Sequence, residues 1–358
     1  MSTAFPRPLA LTFGDAAGIG PELIAHGFAA QPQTLQGCVV VGDVAAIQRA
    51  VEVVQQAHPS LPVPFVERVQ ALEVCAFLPE GVLPVWQVGE PWTAETLPAW
   101  GRVQADAGAK AAEAVLWAAQ AALRGDVSAL VTAPLHKEAL AAAGVPFPGH
   151  TELLQACAAG RAGLSEEDMP VRMMLANAEL RTVLVSIHVS LREAIEAVTV
   201  PNVLETLRIT DAAERRRLGR APRIAVAGLN PHAGEGGLMG REELDILIPA
   251  LQQARDEGLD VSGPHAPDTV FMRARAHAGR PGEFDVVVAM YHDQGLIPVK
   301  YLGLDQGVNV TLGLPLVRTS PDHGTAFDLA GTGQADPASL IQAVRMAQAM
   351  TGCQFDAK

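Results

Sequence analysis

Short apolar runs alternate with amphipathic segments along most of the chain. Apolar side chains recur at helical spacing in residues 21–30, 44–58, 102–125, 241–258 and 336–350. Runs rich in Val, Ile, Leu and Ala predict strands at residues 9–13, 38–43, 128–134, 181–188, 223–230 and 285–292. Continuous apolar runs between helices are typical of strands that are covered on both faces. The pattern therefore predicts an α/β fold with a largely parallel sheet.

The length of 358 residues exceeds that of one ordinary single-core domain, so we expect two lobes. A boundary near residues 132–138 is favoured because a predicted strand ends there and polar residues collect. We assign residues 1–135 with 301–358 to one lobe and residues 136–300 to the other. The Pro-rich region 59–100 carries no chemical motif and is typical of irregular or edge structure.

Composition narrows the class of protein. An apolar content of 49% with 18% charged residues indicates a well-packed globular chain. The net charge of −13 gives no general attraction for nucleic acid or an acidic membrane. The four cysteines are far apart, which suits a reducing compartment and argues against a cysteine-built zinc site. Because there is no signal-peptide pattern and no apolar run of about 18 residues, we expect a cytoplasmic protein.

Three of the predicted strands run into a histidine, namely His188, His232 and His292. Ligands gather at the carboxyl ends of strands in open α/β sheets, so three neutral imidazoles there would form a site for a divalent cation. The alternative is that each histidine ends its strand and bonds backbone, which is the more common role of a single histidine. Sequence spacing does not show whether the strands are neighbours, so both interpretations stay open.

Two glycine-rich segments, GDAAGIGPE (14–22) and GEGGLMG (234–240), follow predicted strands. The first has Pro21 at a suitable first helical position, but it lacks the GK[ST] of a P-loop and the GxGxxG of a dinucleotide turn. A tight strand-to-helix turn explains this segment at least as well as a weak nucleotide-binding motif does. The second segment has the wrong glycine spacing, so the Rossmann fingerprint is absent.

Several cationic and polar residues are candidates for anion binding. His150 and Thr151 stand where a helix is expected to begin, and free N–H groups at a helix start favour phosphate or carboxylate. Capping by Thr151 is the alternative, and it does not exclude anion binding. Lys300, Asn309 and Arg318 follow one another further along the chain. Surface charge is the usual role of such cations, but the apolar neighbours of Arg318 favour a partly buried guanidinium.

An ordered set of motifs resembles the 4-hydroxythreonine-4-phosphate dehydrogenase family of vitamin B6 biosynthesis. The motifs run from residue 8 to about residue 350 and read GDAAGIGPE, APLHKE, GHTELL, GLNPHAGEGG, MYHDQGLIPVKY and GVNVTLGLPLVRTSPDHGTAFDLAG. The resemblance implies two αβα lobes with a cleft between them, similar to isocitrate and isopropylmalate dehydrogenases, and a homodimer whose active sites draw on both subunits. It also implies NAD or NADP, held without a Rossmann turn, and one divalent metal ion such as zinc, magnesium or cobalt.

The same resemblance implies roles for individual residues. The family's metal ligands match His188, His232 and His292, and in the family one of the three comes from the partner subunit. The implied substrate-binding residues are His150, Thr151, Lys300, Asn309 and Arg318. One departure is visible, because Ala16 replaces a proline of the N-terminal turn. It leaves open a side branch that oxidises phosphorylated four-carbon sugar acids or aromatic cis-dihydrodiols, although the retained substrate-binding set favours a phosphorylated substrate.

The implied reaction is the oxidation of 4-phosphooxy-L-threonine to 2-amino-3-oxo-4-phosphooxybutanoate, which decarboxylates to 3-amino-2-oxopropyl phosphate. A divalent cation would lower the pKa of the substrate hydroxyl, and hydride would pass to the nicotinamide. Asp268 and Asp293 are candidates for the proton acceptor, with an ordered water as an equal rival, and Lys300 is a further catalytic candidate. A three-histidine metal hydrolase and a non-catalytic metabolite-binding protein are the competing classes, which the ordered motifs disfavour.

The polar, glycine-rich segment 322–333 precedes the last predicted helix and is the candidate cofactor loop. In the related isocitrate-type dehydrogenases, a His-Gly segment lies against the adenosine half of the dinucleotide, which implies cofactor binding by His323, Gly324 and Thr325. Asp336 is a candidate for the ribose contact that would favour NAD over NADP. The alternative is a surface loop that caps the last helix, with Asp336 as its N-cap.

Overall fold

A computed structural model describes residues 7–303 and 306–352 of the chain. Its strands are β1 (Leu9–Thr12), β2 (Cys38–Gly42), β3 (Phe65–Arg68), β4 (Val82–Gln87), β5 (Ala129–Thr132), β6 (Arg172–Ala176), β7 (Arg181–Leu184), β8 (Ile224–Ala227), β9 (Val261–His265), β10 (Val286–Ala289), β11 (Val308–Leu312) and β12 (Arg318–Pro321). Its helices are α1 (Gly20–Ala30), α2 (Pro32–Leu35), α3 (Val44–Ala57), α4 (Ala105–Arg124), α5 (Lys137–Ala142), α6 (His150–Ala162), α7 (Leu191–Ala197), α8 (Val200–Leu218), α9 (Ile248–Asp256), α10 (Pro267–Ala274), α11 (His292–Tyr301) and α12 (Ala338–Thr351). Cys353 and the outer ends of the predicted lobes lie outside the described residues.

The chain divides into two compact units, Met1–Pro170 with Leu314–Lys358 (unit 1) and Val171–Gly313 (unit 2). Both boundaries lie later in the chain than the predicted positions near residues 135 and 300. The first lies later because α5 and α6, which follow β5, pack on the long helix α4 and so remain with unit 1. The end of a strand and a polar stretch therefore did not mark the point where the chain leaves this unit.

The strand pairs described in unit 1 are all parallel, and the strand order is β3-β4-β2-β1-β5-β12. Leu9, Ala10 and Leu11 of the central strand β1 are fully buried, as the continuous apolar run predicts. Asp43 fixes the start of α3 by accepting hydrogen bonds from two backbone N–H groups of its first turn. The Pro-rich region 59–100 contains β3, at the edge of this sheet, and β4 beside it, so its edge-like character is confirmed.

Unit 2 has the strand order β11-β6-β7-β10-β8-β9. The pairs β7–β10, β10–β8 and β8–β9 are parallel, whereas β6 pairs in antiparallel fashion with both β11 and β7. The predicted α/β class and largely parallel sheet are therefore confirmed, and the antiparallel pairs described within unit 2 both involve β6. The three strands that lead to His188, His292 and His232 are β7, β10 and β8, and they are direct neighbours.

All six predicted strands are present, and each is shorter than the apolar run that predicted it. The run 181–188 ends as a strand at Leu184, and the run 285–292 ends at Ala289. The last residues of these runs form the turns into α7 and α11, so the histidines stand on turns or helix starts rather than on strands. In the described part of the chain, no helix combines the length and the apolar character that a membrane crossing requires.

Candidate active site

The carboxyl ends of β7 and β10 are joined beyond the last strand residues. Ser186, which follows β7, donates a hydrogen bond from Oγ to the carbonyl oxygen of Met290, which follows β10, at 3.0 Å. His188 and His292 lie just beyond these ends, and the centroids of their rings are 5.5 Å apart. The register of the sheet thus brings two of the three predicted metal ligands together.

His292 has a carboxylate partner from the next residue. His292 is the first residue of α11, and its Nδ1 lies 2.7 Å from Oδ1 of Asp293. A carboxylate at this position holds the imidazole proton on Nδ1 and leaves the lone pair of Nε2 free to bind a cation. Metal-binding histidines in general have such a partner on the second ring nitrogen. The arrangement fits a divalent metal ligand.

Two of the predicted ligands have left-handed backbone conformations that residues other than glycine seldom adopt. The φ angle is 45° at His188 and 51° at His232. Such conformations cost roughly 1–3 kcal/mol each and persist where the surrounding structure enforces them, commonly at ligand sites. Immediately after His188, Ser190 and Glu193 form a reciprocal capping box that starts α7 and holds the turn.

The loop that carries His232 is anchored by a buried acid. Glu243 is 2% exposed and accepts hydrogen bonds from the backbone N–H of Asn230 at 2.7 Å and from its Nδ2 at 2.9 Å. A side chain on Gly234 would lie 2.7 Å from the same carboxylate, so the loop can pass this close to Glu243 only with glycine there. Glu243 was not among the residues predicted from the sequence, although an acidic residue on the apolar face of the predicted helix 241–258 was a signal for it.

Two adjoining cavities open at this end of the sheet. One, of about 660 Å³, is lined in part by His232, Asp268 and Asp293, and the other, of about 350 Å³, is lined in part by His188, His292 and Asp293. Both carboxylates proposed from sequence as proton acceptors therefore face the same cavity as His232. Asp293 lines both cavities and connects the two groups of residues.

No group of three His, Cys, Asp or Glu side chains in the described part of the chain is arranged to hold a metal ion. Within unit 2, His188 and His292 form a pair, and His232 lies in the adjoining cavity. A complete three-histidine site with one ligand from a partner subunit remains a prediction. The donors that are present, two close imidazoles of which one is bound to a carboxylate, fit its chemistry.

A second predicted group lies in unit 1, where α6 begins. Arg318, at the start of β12, is 4% exposed and donates to Thr132 Oγ1 from Nη2 at 2.8 Å and from Nε at 3.2 Å. His150 is the first residue of α6, followed by the half-buried Thr151. The Nε2 of His150 is buried and has no hydrogen-bond partner among the described residues. A buried donor or acceptor left without a partner is typical of a position that a ligand completes.

Burial and nearby charges change the pKa values of His150 and Arg318. Burial lowers the pKa of His150 well below its usual value, and the charge of Arg318 lowers it further. Burial likewise lowers the pKa of Arg318 to about 10, although nearby Glu152 opposes the shift. At neutral pH the group therefore combines a neutral imidazole with a buried guanidinium, which suits an anionic ligand.

Lys300 and Asn309 lie in unit 2. Lys300 is in the last turn of α11, about 12 Å along the helix axis from His292. Asn309 is in β11, where it pairs with Leu175 of β6. Their roles as substrate contacts, and a catalytic role for Lys300, stay predictions.

The N-terminal glycine-rich turn packs against the candidate cofactor loop. The Ile19 N–H donates to the carbonyl oxygen of Thr325 at 3.0 Å. The fully buried carboxylate of Glu22 accepts from the N–H groups of Gly331, at 2.5 Å, and Gly333, at 2.7 Å. Glu22 thus fixes the backbone of the loop at Gly331 and Gly333. This role was not predicted from the sequence, although Glu22 is an acidic residue within an apolar helical segment. The contact links the glycine-rich turn 14–22 to the candidate cofactor loop 322–333.

Another buried acid, Asp15, lies in the same turn. Its Oδ1 accepts from the Ala17 N–H at 2.8 Å, and burial raises the pKa of the carboxyl group above its usual value. His136, whose charge would oppose that shift, stacks on Phe327 of the loop with ring centroids 4.5 Å apart. His136 therefore contacts the loop, and Asp15 lies in the turn that packs against it; neither residue was selected from the sequence.

The predicted cofactor residues differ in exposure. His323 and Gly324 are exposed, and the His323 Nδ1 lies 3.1 Å from the Gly324 carbonyl oxygen. Thr325 is buried against the N-terminal turn. Asp336 is exposed, and its Oδ1 accepts from the N–H of Ala338, the first residue of α12, at 2.9 Å, although the N-cap of that helix is Pro337 rather than Asp336. The cofactor role of all four residues stays a prediction.

Similar proteins and structures are known for nearly the whole chain. A family model described as pyridoxal phosphate biosynthetic protein PdxA matches residues 34–347. A 4-hydroxythreonine-4-phosphate dehydrogenase of Beijerinckia indica subsp. indica is 50% identical over 334 residues, which cover 93% of this chain and 92% of that protein. A D-threonate 4-phosphate dehydrogenase of Salmonella typhimurium is 42% identical and covers 95% of this chain and 98% of its own length. A crystal structure of 4-hydroxythreonine-4-phosphate dehydrogenase from Klebsiella pneumoniae matches with a TM-score of 0.83 and 38% identity, over 96% of this chain and 99% of that one.

Proposed function

The chain belongs to the family of the pyridoxal phosphate biosynthetic protein PdxA, and we propose that it oxidises 4-hydroxythreonine 4-phosphate with NAD or NADP. The oxidised product, 2-amino-3-oxo-4-phosphooxybutanoate, is a β-keto acid, and loss of carbon dioxide leaves 3-amino-2-oxopropyl phosphate. The protein is an oxidoreductase, as its dehydrogenase relatives are, and this reaction places it in pyridoxal phosphate biosynthesis. The metal-hydrolase and binding-protein alternatives have no support among these relatives.

The pairing of His188 with His292 is the observation that carries the proposal. Two imidazoles with ring centroids 5.5 Å apart, one of them held by Asp293, are donors for a divalent cation. His232 is proposed as the third ligand, with one of the three supplied by the partner subunit. A divalent ion held by these residues would lower the pKa of the substrate hydroxyl.

The chain's own residues then bind the substrate and move its proton. Asp268 and Asp293 face the cavity that contains His232, and either can accept the hydroxyl proton directly or through a water. The buried guanidinium of Arg318, with His150 and Thr151 at the start of α6, is proposed to bind the phosphate. Lys300 and Asn309 are proposed as further substrate contacts.

A homodimer is proposed because unit 2 exposes large apolar side chains beside the His232 cavity. Met272 and Ile297, which line that cavity, are 72% and 62% exposed, and Tyr301, further along α11, is 91% exposed. Clustered exposed apolar residues are typical of a protein–protein contact. A second copy seated there would lie beside the histidines, as a shared active site requires. Sedimentation of the purified chain tests this: a monomer at assay concentration contradicts it.

NAD or NADP is proposed to bind at the loop that follows β12. His323 and Gly324 are exposed, and the space beside Gly324 is open among the described residues, so a ligand can approach the backbone there. Calorimetric titration of His323→Ala and Asp336→Ala tests the assignment. We expect weaker dinucleotide binding in the first variant, and a changed NAD-to-NADP preference in the second if Asp336 contacts the ribose. Parent-like binding of both dinucleotides by both variants would place the cofactor elsewhere.

A cytoplasmic location is also proposed. Cys38 and Cys75 are buried free thiols, and Cys157 is a half-buried one, as expected in a reducing compartment. Burial raises the pKa of Cys38 and that of Cys75, the latter to about 11, which keeps both thiols protonated and unreactive.

The decisive experiment follows reduced nicotinamide by absorbance with a panel of substrates and added divalent ions. We expect the highest kcat/KM with 4-hydroxythreonine 4-phosphate, a lower value with D-threonate 4-phosphate, and none with an aromatic cis-dihydrodiol. The ranking of the first two rests on the higher identity to the relative named for the first substrate, 50% against 42%. A preference for D-threonate 4-phosphate would move the chain to that side branch, and no turnover with any substrate would contradict the proposal.

A further inference from the structure

Five arginines gather at the amino ends of the central strands of unit 2, opposite the histidines. Arg181 is the first residue of β7, and Arg223 directly precedes β8. Arg217 and Arg220 lie at the end of α8, and Arg275 follows α10. We call these five residues the arginine cluster. It is a local concentration of positive charge on a chain with a net charge of −13.

Four members of the arginine cluster have carboxylate partners. Asp285 accepts from Arg220 at 2.8 Å and from Arg223 at 3.1 Å. Arg217 donates from Nε to the fully buried Glu214 at 2.9 Å, and Arg275 pairs with Glu179. Three carboxylates thus form ion pairs with four guanidinium groups. Arg220 and Arg223, which both pair with Asp285, hold the pKa of that carboxyl group well below its usual value despite its burial.

Arg181 is the member that is left over. Its guanidinium makes no hydrogen bond or ion pair with any described residue, and its Nε is buried. Burial, reinforced by the like charge of Arg217, lowers the pKa of Arg181 from its usual value, although the charges of Glu214 and Asp285 oppose the shift. A half-buried guanidinium whose buried Nε makes no hydrogen bond is rare in native proteins, so it indicates a missing ligand or water.

A cavity lies where such a ligand would bind. It has a volume of about 140 Å³ and is lined by Arg181, Arg217 and Arg223, together with Glu179, Phe284 and Asp285. A single water needs only roughly 10–15 Å³ of such space, so the cavity has room for a larger group. Guanidinium groups present planar pairs of donors that match the oxygens of phosphate and similar anions.

We propose that this cavity is a second anion site, which binds a small tetrahedral oxyanion of the phosphate class with Arg181 as its principal donor. The site is separate from the candidate active site, because β7 alone places about 13 Å of strand between Arg181 and the turn that leads to His188. The anion completes the charge balance of the arginine cluster. Binding of the anion stabilises unit 2 at the amino ends of β7 and β8. The carboxyl ends of the same strands lead to His188 and His232.

The test uses hydrogen–deuterium exchange on the full chain, dialysed free of phosphate and then titrated with inorganic phosphate against chloride of matched ionic strength. We expect saturable protection in peptides that cover residues 177–184 and 274–286. Arg181→Met keeps the aliphatic stem but removes the charge, and should weaken this protection about tenfold or more. Arg181→Lys keeps the charge and should lose less. Arg216→Gln, an exposed neighbour on α8, is the matched control and should behave as the parent.

A further variant separates this site from the proposed substrate site. Arg318→Gln should leave phosphate protection in the two peptides unchanged, whatever it does to turnover. If Arg318→Gln abolishes that protection and Arg181→Met does not, phosphate binds only at the substrate site and the second site does not exist. If no substrate is turned over, the proposed function is wrong, but phosphate should still protect residues 177–184 and 274–286. The proposed function and the second anion site can therefore be refuted separately.

Stability without phosphate supplies an independent readout. Since the half-buried guanidinium of Arg181 makes no hydrogen bond with a described residue in the free protein, Arg181→Met should be at least as stable as the parent in phosphate-free buffer. A variant that is destabilised there, or that does not fold, would show that the guanidinium is a structural partner and would overturn the proposal. The proposal would also be overturned if Arg181→Met changes the oligomeric state but leaves the response to phosphate unchanged. Arg181 would then be part of a subunit contact.

Discussion

Gln294 donates a hydrogen bond from Nε2 to the carbonyl oxygen of Gly228 at 2.7 Å. With its Oε1, the same side chain accepts from the Met290 N–H, also at 2.7 Å. One residue of α11 thereby ties the turn after β10, which carries His292, to the end of β8, from which the His232 loop departs. The bond joins α11, which follows β10, to the end of the neighbouring parallel strand β8, where the candidate active site lies.

Loss of this bond should impair catalysis more than folding. In Gln294→Ala, both ends of the link are lost, and small displacements of catalytic groups can cost about 100-fold in rate. We expect kcat to fall by roughly 10- to 100-fold with a smaller change in KM. In Gln294→Glu the acceptor for Met290 remains, but a carboxylate oxygen would face the Gly228 carbonyl oxygen and repel it, so kcat should fall at least as far as in Gln294→Ala. Gln253→Ala, exposed on α9, serves as the control, and an unchanged kcat in Gln294→Ala would refute the role.

The three predicted metal ligands should be individually essential. His188→Ala, His232→Ala and His292→Ala should each lower turnover by about 100-fold or more, since each removes one of few ligands from a partly open site. Metal content after dialysis should fall in each variant, and circular dichroism should stay as in the parent. His277→Ala removes an exposed histidine of the same unit and should change none of these. Full activity of any of the three ligand variants in metal-stripped buffer contradicts the shared site.

Arg318→Lys should raise the KM for the phosphorylated substrate roughly tenfold or more, because lysine keeps the charge but loses the planar pair of donors. The two bonds to Thr132 that orient the guanidinium would also be lost. Steady-state kinetics at saturating dinucleotide measures the effect. Arg345→Lys, on α12 of the same unit, is the control. Parent-like kinetics in Arg318→Lys would remove Arg318 from the substrate site.

His150 should make the protein less stable as the pH falls. Its folded-state pKa lies well below about 6.5, the value in the unfolded chain, so the unfolded chain takes up the proton first. Above about pH 6.5 the residue contributes nothing to the pH dependence, and below it stability declines by about 1.4 kcal/mol per pH unit until the folded pKa is reached. Urea unfolding of His150→Gln should therefore show a shallower decline below about pH 6.5 than the parent. Equal slopes would contradict a depressed pKa, and His277→Gln is the control.

Glu22 should influence dinucleotide binding without contacting the dinucleotide. In Glu22→Gln one of the two acceptor oxygens becomes an amide that faces a glycine N–H, which costs about 1–3 kcal/mol at this buried position. The loop around Gly331 and Gly333 should be disordered or displaced as a result. Calorimetry should give a dinucleotide Kd raised about tenfold, while the exposed substitution Glu52→Gln leaves it unchanged. An unaltered Kd together with lowered stability would limit Glu22 to a structural role.

The sequence by itself determined the α/β class, the six strands that their apolar runs predict, and the three histidines that follow strands. These features depend on local patterns, because burial on both faces selects continuous apolar runs and helices select apolar residues at their own spacing. The ordered motifs also identified the family, because they are read directly from the residues. Local patterns did not mark the unit boundaries, since α5 and α6 remain with unit 1 through packing on α4.

Only the tertiary structure decided which strands are neighbours and which side chains meet. The order β7-β10-β8 makes His188 and His292 adjacent, and the bonds of Gln294, Glu243 and Glu22 each join residues that are distant in sequence or lie on different elements. The same holds for Arg181, whose missing partner is visible only once Asp285, Glu214 and Glu179 are seen to serve other arginines. Strand order and register follow from the packing of the whole chain, and a short segment carries no information about the partner that it will meet.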